Sequence, residues 1–206
     1  MSTHLPPEAF RRWDTSPDES FYDAPRFVTH IDDRAIAYVT ALYRELFPAG
    51  GAVLDLMSSW ISHLPADVAY RRVVGLGMNR DELAANPRLD SYVVQNLNDA
   101  PRLPFGDAEF AACGCCVSIQ YLTRPVAVLA DLGRVMQAGA PVCITFSNRC
   151  FPTKAVAIWQ ALDDAGHVEL VKRYLRDAGC WRDTEVRRAP PARGSDPLYA
   201  VIARRE

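Results

Sequence analysis

One carboxylate lies within the apolar run "AVLDL", residues 52–56, and two serine hydroxyls come shortly after it. Asp55 lies in that run, and Met57, Ser58, Ser59 and Trp60 follow it with no glycine among them. A short, nearly uninterrupted apolar run is typical of a parallel strand buried on both faces, and open α/β sheets bind ligands at the carboxyl ends of such strands. We therefore predict a ligand site here, in which a helix N-terminus behind the serines favours an anion.

Further polar residues are predicted to lie along the same edge of the sheet. His63 is the nearest candidate base if the reaction removes a proton, although a lone histidine at a helix start is usually structural. Gln120 and Tyr121 follow the predicted fourth strand, and Asn148 and Arg149 follow the fifth. We treat His63, Gln120 and Tyr121 as candidate catalytic residues, and the other two as candidates for substrate binding.

The beginning of the chain is rich in proline, aspartate, serine and aromatic residues, with little periodicity. We predict that residues 1–33 form an N-terminal arm, which acts as a lid on a domain of residues 34–206. Tyr22, Arg26 and His30 form an aromatic and basic cluster in this arm, and Arg26 could hold a substrate carboxylate. The alternative is that Phe21, Tyr22 and Phe27 only anchor the arm to the sheet.

The sequence contains six cysteines, three of them in one apolar run. On a strand, Cys113 and Cys115 would share one face and Cys116 would point to the other, with Cys143 close by on the next strand. Such a cluster could bind a thiophilic metal or arsenic, or it could simply pack, since free cysteine behaves as a small hydrophobe. We favour packing in the core and predict no metal site.

The alternation of apolar patterns predicts one α/β domain. A helix over 33–47 comes first, a later one is capped by Asn79 with Glu82 reaching back, and another is capped by Thr123. Helices at 153–165 and 167–178 follow the last parallel strand. The predicted strands are 52–56, 72–77, 91–95, 109–119, 140–147, 181–189 and 197–204. This order predicts a three-layer α/β/α sandwich with a seven-stranded, mostly parallel sheet and a C-terminal antiparallel hairpin.

Size and charge argue against several classes of protein. The chain has 206 residues and a formal net charge of -2, with no basic run longer than a pair of arginines. We therefore expect no nucleic acid as a partner. No stretch approaches the ~18 to 20 uncharged apolar residues needed to span a bilayer, and the N-terminal stretch lacks the apolar core of a signal peptide. These features predict a cytoplasmic protein with no membrane association.

Three strings of the sequence resemble those of one known family. "AVLDL" is similar to its first strand, which ends in an acid, here Asp55. "LPFGDAEFAA" at 103–112 resembles its "LPF-x-D-x-x-F-D" segment, and "LADLGRVMQAGAPVCITF" at 129–146 resembles its helix, turn and fifth strand. Over about residues 50–147 the chain resembles the class I S-adenosylmethionine-dependent methyltransferases, in particular the small-molecule branch, since it lacks a Pro-Pro-Tyr type motif. The resemblance implies S-adenosylmethionine as cofactor and a small molecule as methyl acceptor.

The sequence departs from the family where the cofactor binds. The family's glycine-rich turn falls on Met57, Ser59 and Ile61, and its ribose-binding acid falls on Gly77. Loss of a carboxylate-to-diol contact would cost about 1.5–3 kcal/mol, or about one to two decades of affinity, although Asn79 could still reach a ribose hydroxyl. The cofactor-binding residues that the resemblance implies are Asp55, Met57, Ser58, Ser59, Gly77, Met78, Asn79, Leu97 and Asn98.

Two alternatives to methyl transfer stay open. The missing glycines and acid are compatible with a catalytically inactive relative that serves as a binding or partner subunit, with a protein partner if the cofactor site is closed. They are also compatible with an enzyme of this fold that uses a different nucleotide or metabolite. We favour S-adenosylmethionine-dependent methyl transfer to a small molecule through an altered cofactor pocket.

Overall fold

The apolar runs of the sequence form the strands of one sheet. The computed structural model describes residues 5–206, so the first four residues of the predicted arm lie outside the description. The strands are β1 (Ala52–Leu56), β2 (Arg72–Gly77), β3 (Ser91–Val94), β4 (Ala112–Cys116), β5 (Pro141–Ser147), β6 (Trp181–Arg188) and β7 (Leu198–Arg205). β1 and β2 have the predicted bounds. β4 is shorter than predicted, and it ends at Cys116 because Val117, with φ of 44°, turns the chain out of the extended conformation.

The sheet has the order β3-β2-β1-β4-β5-β7-β6. β1 to β5 pair in parallel, whereas β7 runs antiparallel between β5 and β6. The predicted mostly parallel sheet with its C-terminal hairpin is therefore confirmed. The chain reaches one edge at β3 and returns to the centre at β4, so the neighbouring carboxyl ends of β1 and β4 mark the switch in strand order.

Helices cover both faces of the sheet and complete the three layers. They are α1 (Asp18–Tyr22), α2 (Asp33–Leu46), α3 (Arg80–Ala85), α4 (Pro125–Val135), α5 (Ala157–Gln160) and α6 (Asp164–Ala178). On one face, Val39 and Tyr43 of α2 belong to the same buried cluster as Val53 and Ala112 of the sheet. On the other face, α4 and α6 pack together over the strands. No helix within residues 5–206 is long and apolar enough to cross a bilayer.

The predicted helix at 153–165 is wrong for most of its length, since only α5 forms there, and α6 already begins at Asp164. The backbone N–H of Val156 donates to the carbonyl of Gln120 at 3.0 Å, and that of Ala157 donates to the carbonyl of Arg11 at 2.7 Å. These long-range bonds replace the bonds that a continuous helix would make. They tie the segment after β5 to the N-terminal arm.

Residues 57–71, which connect β1 to β2, contain no helix. The predicted helix N-terminus behind Ser58 and Ser59 is therefore wrong, and a helix dipole does not favour an anion there. Met57 and His63 have φ of 59° and 50°, values that interrupt a right-handed helix. Asp55 accepts hydrogen bonds from side chains in this connection, which offers the chain an alternative to helical bonding.

The predicted cap of α3 is confirmed in part, and the predicted cap of α4 is wrong. Asn79 caps α3 as predicted, because its Oδ1 accepts a hydrogen bond from the backbone N–H of Glu82 at 2.9 Å. The Glu82 carboxylate does not return to the cap and instead binds groups outside the helix. The residue before α4 is Arg124 and not Thr123, since the Thr123 amide donates to Asn98 Oδ1 at 2.8 Å.

The four clustered cysteines are divided between the two faces of the sheet. Cys113 and Cys115 are buried on the α4 and α6 face, whereas Cys116 and Cys143 pack on the α2 face. Cys143 pairs in register with Gly114, which places it on the opposite face from Cys113 and Cys115. Burial raises the pKa of the Cys115 thiol to about 12. The thiols therefore pack as apolar side chains, in agreement with the interpretation as core.

Candidate functional site

A cavity of about 360 Å³ lies at the carboxyl ends of β1, β2, β3 and β4. Residues immediately after each of these four strands form its walls, together with residues 149–151 after β5 and part of the N-terminal arm, namely Arg12, Asp18, Tyr22, Arg26 and residues 28–30. Its volume is in the range typical of small-molecule sites, and its position is the one at which open α/β sheets bind ligands.

Backbone strain is concentrated beside this cavity. Met57 directly follows β1 with φ of 59°, and Val117 directly follows β4 with φ of 44°. A β-branched residue such as valine is rarely found in the left-handed region. Strained residues of this kind persist where the surrounding structure fixes them, and they cluster at functional sites. Met57 and Val117 therefore line the cavity in a left-handed backbone conformation that is unfavourable for these residue types.

Asp55 anchors the connection after β1. Its Oδ2 accepts hydrogen bonds from the hydroxyls of Ser58 at 2.5 Å and Ser62 at 2.6 Å. Asn86 supports this arrangement, because its Nδ2 donates to Ser62 Oγ and to the carbonyl of Ser59, both at 2.8 Å. Burial raises the pKa of Asp55 to about 6, although the two serine hydrogen bonds act in the opposite direction. The hydrogen bonds to Asp55 thus hold residues 58–62 at the strand ends.

Gly77 of β2 makes room for this connection, and Gly75 of the same strand makes room for Leu89, in the segment before β3. A Cβ at Gly77 would lie 2.2 Å from the carbonyl oxygen of Ser58, and a Cβ at Gly75 would lie 2.4 Å from Cδ1 of Leu89. The Ser58 amide also donates to the carbonyl of Leu76 at 2.7 Å, which holds the turn against β2. The Gly-x-Gly pair is therefore explained by close packing. The end of β2 has no space for the acid that the family carries there.

A different acid lies beside the end of β2. Glu82, in the first turn of α3, is largely buried and lines the cavity. Its Oε1 accepts a hydrogen bond from the backbone N–H of Arg26 and its Oε2 accepts one from Ser59 Oγ, each at 2.6 Å. Sequence reasoning assigned Glu82 to helix capping and missed it as a site residue. The spacing of Asn79 and Glu82 predicts a helix cap, but it carries no information about the contacts of Glu82 with Arg26 and Ser59.

The N-terminal arm is fastened over the cavity by buried charges. Asp18 accepts from Arg12 at 2.6 Å and from Asn98 at 2.9 Å, and Lys154 Nζ lies 3.3 Å from it. Lys154 is fully buried and also pairs with Asp14 at 3.1 Å. These contacts join the arm to the segments that follow β3 and β5. No local sequence signal identifies Arg12 or Asp18 as cavity residues.

The arm also uses polar groups at the strand ends. Asn79 Nδ2 donates to the backbone carbonyls of Tyr22 at 2.8 Å and Asp23 at 2.9 Å. The indole N–H of Trp60 donates to the carbonyl of Val28 at 3.0 Å. The Asn79 amide, predicted to reach a ribose, is thus engaged by the arm.

The sequence matches no family model and no curated protein, whereas many solved structures share its fold. The 4+2 cyclase SpnF matches with a TM-score of 0.62 at 15% identity, over 91% of this chain and 91% of its own. Phosphoethanolamine N-methyltransferase 2 of Haemonchus contortus, solved with S-adenosylmethionine, matches with a TM-score of 0.59 at 13% identity, over 82% of this chain and 52% of its own. The Haloferax volcanii protein solved with the Trm112 methyltransferase activator matches with a TM-score of 0.56 at 15% identity, over 85% of this chain and 89% of its own.

The chain has the fold of the S-adenosylmethionine-dependent methyltransferases. At these identities the similarity establishes the fold alone. Within the methyltransferase fold, the structure brings most of the predicted site residues to one cavity. They are Tyr22, Arg26, His30, Asp55, Met57, Ser58, Ser59, His63, Gly77, Met78, Asn79, Leu97, Asn98, Tyr121 and Arg149.

Two predicted site residues lie away from the cavity of this methyltransferase fold. Gln120 is buried behind the strand ends, and its Nε2 donates to the carbonyl of Val117 at 2.8 Å. Asn148 is exposed beyond the end of β5. His63 lines the cavity in a non-helical segment, and burial lowers its pKa to about 4, so its imidazole is neutral at neutral pH.

Proposed function

We propose that this protein transfers a methyl group from S-adenosylmethionine to a small molecule, using an altered cofactor pocket. One observation carries the proposal: in a methyltransferase fold, the ends of β1, β2, β3 and β4 converge on one cavity of about 360 Å³. The strained backbone at Met57 and Val117 supports it, because such strain is characteristic of functional sites.

The chemical types of the residues in the cavity wall are compatible with this cofactor. Asp55 supplies a carboxylate for an ammonium group, and Glu82 supplies one for a ribose diol in place of the strand-end acid that Gly77 cannot carry. Each Glu82 oxygen already accepts one hydrogen bond, and a carboxylate oxygen has a second acceptor position. Met78 and Leu97 offer apolar surface for a base.

Bound S-adenosylmethionine supplies an electrophilic methyl group. The chain's own contribution is alignment of the two reactants and exclusion of water, for which the N-terminal arm closes the cavity wall as a lid. His63 keeps a proton-accepting ring nitrogen at neutral pH, since burial lowers its pKa to about 4. Tyr121 can position the acceptor through its hydroxyl.

Calorimetric titration with S-adenosylhomocysteine tests the proposal, after mass spectrometry has shown that the purified protein carries no ligand. We expect micromolar binding by the natural sequence and an affinity about ten to one hundred times weaker for Glu82→Gln, because a charge-assisted hydrogen bond is lost. Glu109→Gln is the matched control, since Glu109 pairs with Arg72 outside the cavity wall. Equal affinities of both variants would contradict the role of Glu82.

A binding or partner subunit is the second candidate function. Its supporting observation is that hydrogen bonds with the arm and with residues 58–62 already engage Asp55, Asn79 and Asn98. The similar Haloferax volcanii structure was solved with an activator protein, which makes a protein partner a reasonable proposal here. Absence of S-adenosylhomocysteine binding at millimolar concentration, in a ligand-free and folded sample, would favour this candidate over methyl transfer.

A further inference from the structure

The cavity wall contains one arginine whose charge is not neutralised by an acid. The Arg26 guanidinium packs against the rings of Phe21, at 4.6 Å from its centroid, and Phe151, at 5.5 Å. Its Nη2 donates to the carbonyl of Phe21 at 2.8 Å and its Nη1 donates to that of Ala24 at 3.3 Å. These bonds use only part of the planar guanidinium, and further N–H groups remain as donors.

The other cations of the wall are paired. Arg12 donates to Asp18 at 2.6 Å, and Arg149 lies 3.1 Å from Asp196. Within residues 5–206, no carboxylate lies within ion-pair distance of the Arg26 guanidinium. Arg26 is therefore the wall cation that is available to an incoming anion.

The acids of the wall all accept hydrogen bonds from the protein, and one of them is also paired with cations. Asp18 is held by Arg12 and Lys154, and Asp55 accepts from two serine hydroxyls. Glu82 approaches Arg26 only through the backbone N–H of that residue. Asp18 is thus paired with cations, whereas Asp55 and Glu82 accept from neutral donors and the Arg26 guanidinium donates to neutral carbonyls.

Two phenol groups line the same cavity. The Tyr121 hydroxyl accepts a hydrogen bond from the Phe151 amide at 2.9 Å, which leaves its proton free to donate. The Tyr22 hydroxyl makes no hydrogen bond with the described residues, and burial raises its pKa, so it stays protonated. The ring of Phe151 lies 5.9 Å from that of Tyr121 and 5.3 Å from that of His30. Donors and aromatic surface therefore occur together.

We propose that the substrate is a small aromatic carboxylate, whose carboxylate pairs with the Arg26 guanidinium and whose ring packs on Phe151. The Tyr22 and Tyr121 hydroxyls donate to it from the cavity wall. A single unpaired cation matches a monoanion, whereas a phosphomonoester would bring a second negative charge with no partner. This substrate class rests on the methyl transfer proposed above.

The test compares four probes on the natural sequence by calorimetry, with and without saturating S-adenosylhomocysteine: benzoate, benzamide, phenyl phosphate and benzylamine. They share one ring and differ in charge. We expect benzoate to bind at least about ten times more tightly than the other three. Benzamide binding as tightly as benzoate, or tighter binding of phenyl phosphate or benzylamine, would overturn the proposal.

Variants then assign the anion to Arg26. We expect Arg26→Gln to lose at least about tenfold in benzoate affinity and to keep its affinity for S-adenosylhomocysteine, with Arg26→Lys intermediate because it keeps the charge and loses the planar donors. Arg72→Gln, at the amino end of β2, is the control that removes the same charge elsewhere. If Arg26→Gln disturbs the arm, the probe series on the natural sequence still decides the substrate class.

The two proposals fail separately. Binding of S-adenosylhomocysteine without selective benzoate binding would overturn the substrate class and leave methyl transfer standing. Selective benzoate binding without S-adenosylhomocysteine binding would support the anion site and contradict methyl transfer.

Discussion

Replacing Gly77 with alanine tests whether Ser58, in the connection after β1, packs directly against the end of β2. The added Cβ would lie 2.2 Å from the Ser58 carbonyl oxygen, where ordinary contact begins at 3.4 Å, so the two atoms must separate by about 1.2 Å. That oxygen belongs to the backbone, and the same residue's N–H donates to Leu76 at 2.7 Å. The clash therefore cannot be relieved by turning a side chain.

The expected loss of stability follows from three contributions. Overpacking of this kind costs about 1–3 kcal/mol, and weakening the Ser58 hydrogen bond adds about 0.5–1.5 kcal/mol. The lower backbone entropy of alanine in the unfolded chain returns about 0.4–1 kcal/mol. Gly77→Ala should therefore lower the free energy of unfolding by about 2 kcal/mol, measured by urea denaturation, or the thermal midpoint by about 4–8 °C.

Gly106→Ala is the matched control for this experiment. Its Cβ would meet only Glu109 Oε2, at an ordinary 3.6 Å, and Gly106 is exposed. We expect its free energy of unfolding to change by less than about 0.5 kcal/mol. If the two variants were equally stable, Ser58 would not press against β2, and the strand end would have room for an acid.

Three further predictions concern stability. Tyr43→Phe removes a buried hydroxyl with no partner among the described residues and should leave the free energy of unfolding unchanged or raise it by up to about 1 kcal/mol; a loss above 1 kcal/mol would contradict this. The folded-state pKa of Asp55 is raised above its unfolded value, so ionisation of Asp55 lowers the free energy of unfolding as pH rises through about 4 to 6. Asp55→Asn lacks this ionisation, so its free energy of unfolding should rise by about 3 kcal/mol relative to that of the natural sequence between pH 4 and pH 7. A pH-independent difference in urea denaturation would refute that. Lys154→Met leaves Asp18 with one fewer cation and should lower the free energy of unfolding by about 3 kcal/mol in the same assay. Lys172→Met, on the surface, is the control and should lower it by less than about 0.5 kcal/mol. Equal losses in the two variants would show that the buried pair contributes little.

Local patterns in the sequence were enough to predict the parallel core of the sheet. β1 and β2 have their predicted bounds because an apolar run bounded by polar residues is a local property, and no distant contact is needed to recognise it. The cap of α3 was equally local, since the Asn79 side chain bonds a backbone N–H three residues on. The order of these elements was enough to predict the fold class, because few topologies connect them with short, right-handed crossovers.

The candidate site was decided by tertiary structure. Its key contacts join residues far apart in the chain: Glu82 meets the Arg26 amide 56 positions away, and Asn98 meets Asp18 80 positions away. No periodicity or local spacing encodes such pairs. The connection after β1 was predicted to form a helix, but the hydrogen bonds of Ser58 and Ser62 to Asp55 hold it in another shape. Whether a polar residue faces a cavity, caps a helix or fastens an arm depends on which strand ends and loops the fold brings together, because its partners come from elsewhere in the chain.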